Sequence, residues 1–476
     1  MGDKSTQLAV IGAGPGGYAA AFLAADLGMD VTLIDPEANP GGVCLYRGCI
    51  PSKTLLHAAK MVQEARSGEQ WGLMFKDLSV DVNLLRRKKD AVVTQFTEGL
   101  GQLVKRRKID HIRGHAVFTD EKTLTVEDIE GRTQRLTLEQ AIIATGSKAV
   151  SLPMFEKAGE RVLDATAALD LEEIPDRLLV VGGGYIGLEL GSVYAGLGSK
   201  VSVVEMTPEL LPGVDRDLVR FLHKRLQSLF EEIQLEAAVT AARGQKNGVM
   251  VTIKDKAGEE QNRLFDKILV AVGRRPRSDG LGLEEIGVAV DDQGFIRVDA
   301  QRRTSLTHIF AVGDVAGQPM LAHKASHEGR VAVEAIAGQK SAFDPLAIPA
   351  VVFTEPEIAW AGLTEAQAKE RGLIYEVARF PWGASSRAAT LGAPEGLTKL
   401  ILHPDSERIL GVGLVGTGAG ELIAEGTLAI EMGANITDLG LTIHPHPTLS
   451  ETMMEAAHVF HGTAAHYYTP KRKKRP

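Results

Sequence analysis

The hydrophobic pattern at the N-terminus predicts a strand, a helix and a second strand within the first 35 residues. The run from Leu8 to Ile11 is apolar, a glycine-rich turn follows it, and an alanine-rich stretch leads to a second apolar run that ends at Asp35. Short apolar runs next to glycine turns are typical of buried parallel strands, and a longer stretch of small apolar residues is typical of a covering helix. The segment therefore predicts a β-α-β unit.

The same pattern recurs 170 residues later, in LLVVGGGYIGLELGSVYAGLGSKVSVVE. Each copy contains G-x-G-x-x-G, and each ends its second strand with an acid 23 positions after the first glycine. Backbone N–H groups at such glycines approach a pyrophosphate at a helix N-terminus, and the acid accepts a hydrogen bond from a ribose hydroxyl. The repeat predicts two dinucleotide sites, formed by Gly12, Gly14, Gly17 and Asp35 and by Gly182, Gly184, Gly187 and Glu205.

The identity of the second dinucleotide follows from its acid. Glu205 would repel a 2′-phosphate, and no arginine follows it within residues 206–211, which favours NAD over NADP. The alternative is that one copy is a vestigial fold element, but both copies keep all three glycines and the acid.

The remainder of the chain contains one long predicted helix and several further strands. The helix is predicted over residues 82–108, and short strands lead from it to the apolar run AIIATG. Two later strands end at Gly273 and near Asp314, and the carboxyl ends of strands are where an open parallel sheet binds ligands. From about Ile348 two short strands and two helices are predicted. The final KRKKRP is interpreted as a solvated basic end, with an interaction tag as the alternative.

These predictions indicate an α/β protein with two Rossmann-like dinucleotide-binding domains and a C-terminal α+β domain. The first dinucleotide domain is predicted over residues 1–148 and again over 275–346. The second is predicted over 149–274, the C-terminal domain over 347–462 and the basic tail over 463–476.

Composition places the chain among soluble globular proteins. Its 476 residues need more than one core, and 44% hydrophobic with 24% charged residues is unlike a disordered or a membrane protein. The formal net charge of -8 argues against a nucleic-acid partner, which needs a basic field. We find no targeting segment and no run of about 18 apolar residues, so we expect no membrane association and a cytoplasmic location.

The chain has two cysteines, Cys44 and Cys49, five positions apart in GGVCLYRGCIPSK. A zinc site needs about four ligands, and the nearest further candidate is His57, so no metal site is expected. A structural disulfide closing so short a loop would remove little entropy from the unfolded chain. A redox-active dithiol is favoured, because a helix starting at Cys49 would lower a thiol pKa through its dipole and free N–H groups.

A redox dithiol and a nicotinamide each exchange two electrons, and a flavin couples the two naturally. We therefore expect the first glycine motif to bind FAD and the second to bind NAD.

Several motifs together resemble the FAD- and NAD-dependent disulfide oxidoreductases. They are GGVCLYRGCIPSK, the paired glycine motifs, the ATG and AVGRRP segments, AVGDVAGQPMLAHKA and HPHPTLSE. The resemblance extends from about Gln7 to Gly462. It implies oxidation of protein-bound dihydrolipoamide to lipoamide through a Cys44–Cys49 disulfide and FAD, with hydride transfer to NAD. It also implies a lipoyl-bearing protein as partner, and a homodimer whose C-terminal domain forms the interface.

The resemblance also implies the roles of the reacting residues. Cys44 would attack the substrate sulfur, and Cys49 would be the thiolate beside the flavin. His446 would be the general base, oriented by Glu451 and reaching the disulfide of the partner chain. His444, two positions earlier, is the rival candidate for the base.

The remaining implied roles concern the cofactors. Lys53 and Glu189 would form an ion pair beside the flavin. Further FAD contacts are implied for Asp35, Ala116, Ser147, Asp314 and Ala322, and further NAD contacts for Val239 and Gly273.

Other functions stay open. A glutathione-reductase-like enzyme shares the cysteine spacing and the C-terminal histidine, although Glu205 disfavours its NADP. A mercuric-reductase-like role would use a second cysteine pair near the C-terminus, which this sequence lacks. From a different class, a non-catalytic flavoprotein subunit is disfavoured by the retention of both thiols, His446 and Glu451.

The chain departs from the family pattern at three places. Tyr46 and Arg47 stand where an asparagine and an apolar residue are common. Arg47 would favour the thiolate form, contact a charged partner or point to solvent. Asp35 is shorter than the usual glutamate, and Pro445 replaces the usual alanine and stiffens its loop.

Overall fold

A computed structural model describes residues 4–468, except for the side chain of Lys157. The segment up to residue 149 contains β1 (Lys4–Ile11), α1 (Pro15–Asp26), β2 (Val31–Ile34), α2 (Gly42–Arg47), α3 (Cys49–Arg66), α4 (Val82–Arg106), β3 (Asp110–Ile112), β4 (Gly114–Asp120), β5 (Thr123–Asp128), β6 (Thr133–Ile143) and β7 (Ser147–Ala149). The predicted long helix is confirmed as α4.

The middle segment contains β8 (Val162–Leu163), α5 (Ala165–Asp170), β9 (Arg177–Val181), α6 (Tyr185–Leu197), β10 (Lys200–Val204), α7 (Arg216–Leu229), β11 (Glu232–Gln234), β12 (Ala238–Gln245), β13 (Gly248–Lys254), β14 (Glu260–Phe265), β15 (Lys267–Val270), β16 (Arg274–Pro276), β17 (Ile309–Ala311) and α8 (Ala322–Ile336). The last segment contains β18 (Ala350–Val352), β19 (Glu357–Gly362), α9 (Glu365–Glu370), β20 (Glu376–Pro381), α10 (Ser386–Thr390), β21 (Leu397–Leu402), β22 (Ile409–Gly416), α11 (Ala419–Glu431), α12 (Ile436–Leu441) and α13 (Glu451–His461). Residues 469–476 of the predicted tail, which include the KRKKRP segment, lie outside the described residues.

Two sheets of the same design form the first two domains. In the first, β3, β2, β1 and β6 are parallel neighbours, β17 lies parallel to the end of β6, and β4 to β6 form an antiparallel meander. In the second, β11, β10, β9, β15 and β8 are parallel, and the antiparallel meander of β12 to β14 forms a separate three-stranded sheet. The prediction of two Rossmann-like domains is confirmed.

The backbone conformation at the first glycine of each motif explains why both copies have glycine there. Gly12 has φ +98° and Gly182 has φ +110°, conformations that residues with a side chain rarely adopt. A Cβ added at Gly12 would lie 2.4 Å from the carbonyl oxygen of Ala144, and one at Gly182 would lie 2.4 Å from that of Ala271. Each glycine turn therefore packs directly against the residue that follows the neighbouring strand, β6 in the first copy and β15 in the second.

The C-terminal domain contains more strands and helices than predicted. Its antiparallel sheet has the order β18-β19-β22-β21-β20, so the prediction of two strands and two helices is wrong in number. The short helices α9 and α12 have six residues each and α10 has five, too few to show an apolar period. Helices α9 and α12 start with capping boxes, Thr364 with Gln367 and Asn435 with Asp438, which are a recognisable sequence signal.

A buried lysine joins the C-terminal domain to the second domain. Lys399 on β21 is 1% exposed, and its Nζ lies 2.8 Å from Asp215 Oδ2 and 2.9 Å from Asp217 Oδ1 at the start of α7. Glu365 also contacts this Nζ. Burial opposes both charges of the Lys399–Asp217 pair, but their hydrogen bonds outweigh it, raising the pKa of Lys399 and lowering that of Asp217.

The first two domains meet along α3 and α6. A Cβ added at Gly196 of α6 would lie 2.9 Å from the Cβ of Ala59, so the glycine permits a close approach of the two helices. The chain crosses between the domains at β7 and β16, which pair antiparallel. Within residues 4–468, no helix is long and apolar enough to span a membrane.

Candidate functional site

A cavity of about 490 Å³ lies where the first glycine turn, the cysteine helices and α6 meet. It brings together many of the residues predicted to react or to bind the first cofactor. They are Gly12, Gly14, Asp35, Cys44, Cys49, Lys53, Ser147, Glu189, Asp314 and Ala322.

The other predicted residues lie elsewhere. Ala116 is buried on β4, and His446 and Glu451 lie on the C-terminal domain, away from the lining of this cavity. The remaining residues belong to the two glycine motifs (Gly17, Gly182, Gly184 and Gly187), follow strands of the second parallel sheet (Glu205 and Gly273) or lie on β12 (Val239).

The acids that end β2 and β10 have equivalent contacts. Asp35 accepts hydrogen bonds from the N–H groups of Ala13 at 2.7 Å and Glu37 at 3.0 Å. Glu205 accepts hydrogen bonds from the equivalent N–H groups, those of Gly183 at 2.5 Å and Thr207 at 2.7 Å. The shorter aspartate therefore reaches the same backbone groups. Burial raises the pKa of Asp35.

The first glycine turn has room for a phosphate. Gly14 is the N-cap of α1 and has no side chain to cap the helix, so the first N–H groups of α1 have no intrahelical acceptor. A Cβ added at Gly14 would meet only the Cα of Gly42, at 3.9 Å, so open space lies in front of these donors. Free N–H groups beside an open cavity fit the pyrophosphate of a dinucleotide.

The cysteine loop packs on this turn. Gly42, with φ +57°, begins α2, and a Cβ added there would lie 2.5 Å from the Cα of Gly14. Helix α2 ends before Gly48, and α3 begins at Cys49, as predicted. The two glycines before Cys44 thus let the cysteines approach the phosphate turn.

The two cysteines are free thiols with opposite tendencies to ionise. The hydrogen bond from Cys44 to the sulfur of Cys49 raises the pKa of Cys44 and lowers that of Cys49 from 9.0 to about 7. Burial opposes the lowering at Cys49, and the charge of Lys53 reinforces it. In the reduced pair, Cys49 is therefore the thiolate and Cys44 the thiol.

An ion pair beside the cysteines joins all three domains. Lys53 Nζ on α3 lies 2.7 Å from Glu189 Oε2 on α6, and Glu189 is 3% exposed. The N–H of Phe353 in the C-terminal domain donates to Glu189 Oε1 at 2.9 Å. Lys53 Nζ also lies 4.7 Å from the centroid of the Phe353 ring. The pair predicted from the resemblance is present as a contact.

Asp314 is held in place by Ser147, which we predicted, and by Arg274 and Glu328, which we did not predict. Ser147 Oγ donates to Asp314 Oδ2 at 2.5 Å, and Arg274 Nε donates to Ser147 Oγ at 2.8 Å. Behind Asp314, fully buried Glu328 accepts a hydrogen bond from the N–H of Gly313 at 2.7 Å. Arg274 stands in the AVGRRP segment, which is the signal that could have identified it.

Two cations neutralise Glu328. Its Oε1 lies 2.8 Å from Arg302 Nη1 and 3.0 Å from Lys324 Nζ. A buried carboxylate needs such partners, and here they fix the turn that carries Asp314. Tyr185, at the start of α6, is another cavity residue that we did not predict, and burial raises its pKa to about 12.

The two candidate bases differ in their contacts. The side chain of His444 is 5% exposed, with Nε2 at 2.7 Å from Glu425 and Nδ1 at 2.8 Å from the Thr442 carbonyl. His446 is 66% exposed, and its Nδ1 lies 2.9 Å from Glu451 Oε1. His444 thus has both nitrogens occupied, whereas His446 has Nε2 available to an external group.

The carboxylate behind His446 is itself held in place. Thr448 N–H donates to Glu451 Oε2 at 2.8 Å. Slight burial opposes the charge of Glu451, but this hydrogen bond and the contact with His446 outweigh it and lower the pKa of Glu451. Glu451 therefore stays ionised and fixes the orientation of the imidazole.

The side chain of Arg47 is 38% exposed, and the charge that favours the Cys49 thiolate is that of Lys53 rather than that of Arg47. Its guanidinium forms an ion pair with Glu37 and lines the cavity. Tyr46 Oη donates to the carbonyl of Asn39 at 3.0 Å and accepts from its N–H at 3.3 Å. Both unusual residues thus hold the loop between β2 and α2.

Comparisons with known proteins cover nearly the whole chain. Residues 6–329 match the family model described as pyridine nucleotide-disulphide oxidoreductase, and residues 348–457 match the dimerisation domain of the same family. The dihydrolipoyl dehydrogenase of Vibrio cholerae is 47% identical over 473 residues, covering 99% of both chains. That of Staphylococcus aureus is 46% identical over 452 residues, covering 95% of this chain and 96% of the relative.

Solved structures agree with these matches. LpdA from Mycobacterium tuberculosis has a TM-score of 0.88 at 27% identity, covering 95% of this chain and 99% of that one. The HOCl-induced flavoprotein disulfide reductase RclA from Escherichia coli has a TM-score of 0.84 at 30% identity, covering 94% and 98%.

Proposed function

Since the chain belongs to the pyridine nucleotide-disulphide oxidoreductase family, we propose that it is a dihydrolipoyl dehydrogenase. It oxidises protein-bound dihydrolipoamide to lipoamide and reduces NAD, with FAD as resident cofactor. The observation that carries the proposal is the pair Cys44 and Cys49 on the cofactor cavity, with the pKa of Cys49 lowered to about 7. The names of the relatives support the choice of substrate.

The first cavity fits FAD. The free N–H groups of α1 would hold the pyrophosphate, and Asp35 and Asp314 would bind hydroxyl groups of the cofactor. When bound, FAD supplies a two-electron carrier between a thiolate and a nicotinamide. Lys53 and Cys49 lie together on the same cavity, so the proposed flavin side is the cysteine side.

The dithiol performs a thiol–disulfide exchange. Starting from oxidised Cys44–Cys49, a substrate thiolate attacks Cys44, the disulfide breaks, and Cys49 leaves as a thiolate. The second substrate thiol then displaces Cys44, which takes up a proton as lipoyl disulfide departs. The low pKa of Cys49 makes it the better leaving group, and the high pKa of Cys44 keeps it protonated afterwards.

A general base must remove the substrate protons, and we assign it to His446. Glu451 orients its Nδ1, which leaves Nε2 for the substrate thiol. Because His446 does not line the cavity of its own chain, the base of one copy would serve the cysteines of another.

A homodimer follows from this assignment. The matched dimerisation domain includes the surface beside His446, where Leu441 is 77% exposed and Ile443 is 94% exposed. Large exposed apolar side chains at such a surface favour an interface between copies. Sedimentation should give a dimer, and a fully active monomer would contradict the shared site.

The substrate assignment is tested with purified protein. Dihydrolipoamide with NAD should give rapid NADH formation, while NADPH with glutathione disulfide should give little turnover. The Cys44→Ser variant should lose the dihydrolipoamide activity. Efficient glutathione reduction, or unchanged activity of Cys44→Ser, would contradict the proposal. Purified lipoyl domains as substrates would then identify the partner, which we expect in the cytoplasm.

A further inference from the structure

Arg47 occupies an unusual place in the cavity. It is the last residue of α2, between the two cysteines, and its guanidinium lines the cavity together with Gly14 and Asp35. Its ion pair with Glu37 uses one terminal nitrogen, Nη2. That ion pair orients the remaining N–H groups of the planar guanidinium.

Arg47 also has an unsatisfied donor. Its Nε is buried and has no hydrogen-bond partner among the described residues. Buried donors are satisfied in the great majority of cases, so one that lines a ligand cavity indicates a partner supplied by the ligand. An Nε–H beside a terminal N–H is the arrangement that binds phosphate or two vicinal oxygens.

The basic side chains that line the cavity differ in whether they already have partners in the protein. Lys53 pairs with Glu189, Lys148 pairs with an exposed aspartate, and Arg274 donates to Ser147. The first turn of α1 offers N–H groups and no basic side chain. Apart from exposed Arg277, Arg47 is therefore the cavity cation whose donors are left for an anionic ligand.

The charge of Arg47 acts at the ribose end of the cavity. It helps to lower the pKa of Asp35, against the larger effect of burial, so the two groups are near each other. The charged group that favours the Cys49 thiolate is instead Lys53. The electrostatic effect of Arg47 is therefore directed at the acid of the first dinucleotide motif.

We propose that Arg47 binds the adenosine diphosphate half of FAD and thereby links cofactor binding to the position of the cysteine loop. The inference rests on FAD being the cofactor of this cavity. Helix α2 would be held at both ends, with Gly42 against the phosphate turn and Arg47 on the cofactor. Tyr46 supports the arrangement, because its hydroxyl holds Asn39 in the loop that carries Glu37.

The test is FAD binding by the full-length apoprotein, followed by flavin fluorescence. Arg47→Val should raise the FAD dissociation constant about tenfold, the effect of losing a charge-assisted hydrogen bond. The loss should be larger at low salt than at high salt, because a phosphate contact is screened by ions. Arg275→Val removes the same charge from an exposed residue of β16 that does not line the cavity, and should leave the constant unchanged.

Two further measurements separate the inference from a general structural effect. ADP should compete with FAD less well in Arg47→Val by the same factor, and Arg47→Lys, which keeps the charge, should bind FAD with intermediate affinity. The pH dependence of Cys49 alkylation should not change. An unchanged FAD constant, or a loss that is equal at all salt concentrations, would overturn the inference. Neither result would change the outcome of the dihydrolipoamide assay, so the role of Arg47 and the proposed activity can be refuted independently.

Discussion

Removing the hydrogen bond from Cys44 should abolish the acidity of Cys49. The pKa of Cys49 falls from 9.0 to about 7, and the contact with Cys44 is the largest cause. A shift of two pH units corresponds to about 2.7 kcal/mol. In Cys44→Ala, burial still disfavours the thiolate while the donor is gone, so the pKa should return towards 9. At pH 7 the thiolate fraction of Cys49 would then fall from about one half to about 1%.

Alkylation by iodoacetamide measures this fraction directly. Cys49 is the sole cysteine of any Cys44 variant, because the chain has two cysteines. Its alkylation rate at pH 7 should therefore be about 50-fold lower in Cys44→Ala than in Cys44→Ser, whose hydroxyl keeps a donor. Equal pH profiles for the two variants would refute the reasoning, because they would show that the hydrogen bond does not set the pKa.

Three further predictions concern the contacts around the site. Lys53→Met leaves a buried carboxylate unpaired and should lower the free energy of unfolding by about 3 kcal/mol, whereas Lys148→Met breaks an exposed pair and should cost under about 1 kcal/mol, both measured with denaturant. His446→Gln should slow turnover about 10²–10⁴-fold, and His444→Gln far less, since the site needs a base with a free nitrogen. The cluster at Lys399 lowers a carboxyl pKa on folding. It therefore stabilises the protein above pH about 4 and loses this effect as the pH falls through the lowered pKa, so Lys399→Met should flatten the acid side of the stability profile.

The parts that were predictable depend on local spacing. Gly12 and Gly182 show their role in the sequence because a positive φ and a close strand leave no room for a side chain. The start of α3 at Cys49 likewise follows from nearby residues. The two acids, Asp35 and Glu205, repeat their backbone contacts because the whole strand, turn and helix unit repeats.

The parts that were missed depend on contacts distant in sequence. Phe353 donates to Glu189, which is 164 residues away, and no local pattern indicates that hydrogen bond. Glu328 and Lys399 are buried charges whose partners are set by tertiary packing. Arg47 could be singled out as a departure from the family, but its partner Glu37 becomes clear only when the loop is folded.

The central claim is that two electrons pass from dihydrolipoamide through the Cys44–Cys49 pair to NAD. The most direct test is a single-turnover experiment on the purified, FAD-loaded protein without oxygen. One equivalent of dihydrolipoamide should reduce each active site, and NAD added afterwards should yield close to one equivalent of NADH, but none in Cys44→Ser. NADH formation by Cys44→Ser at the normal rate, or its absence in the unmodified protein, would contradict the account.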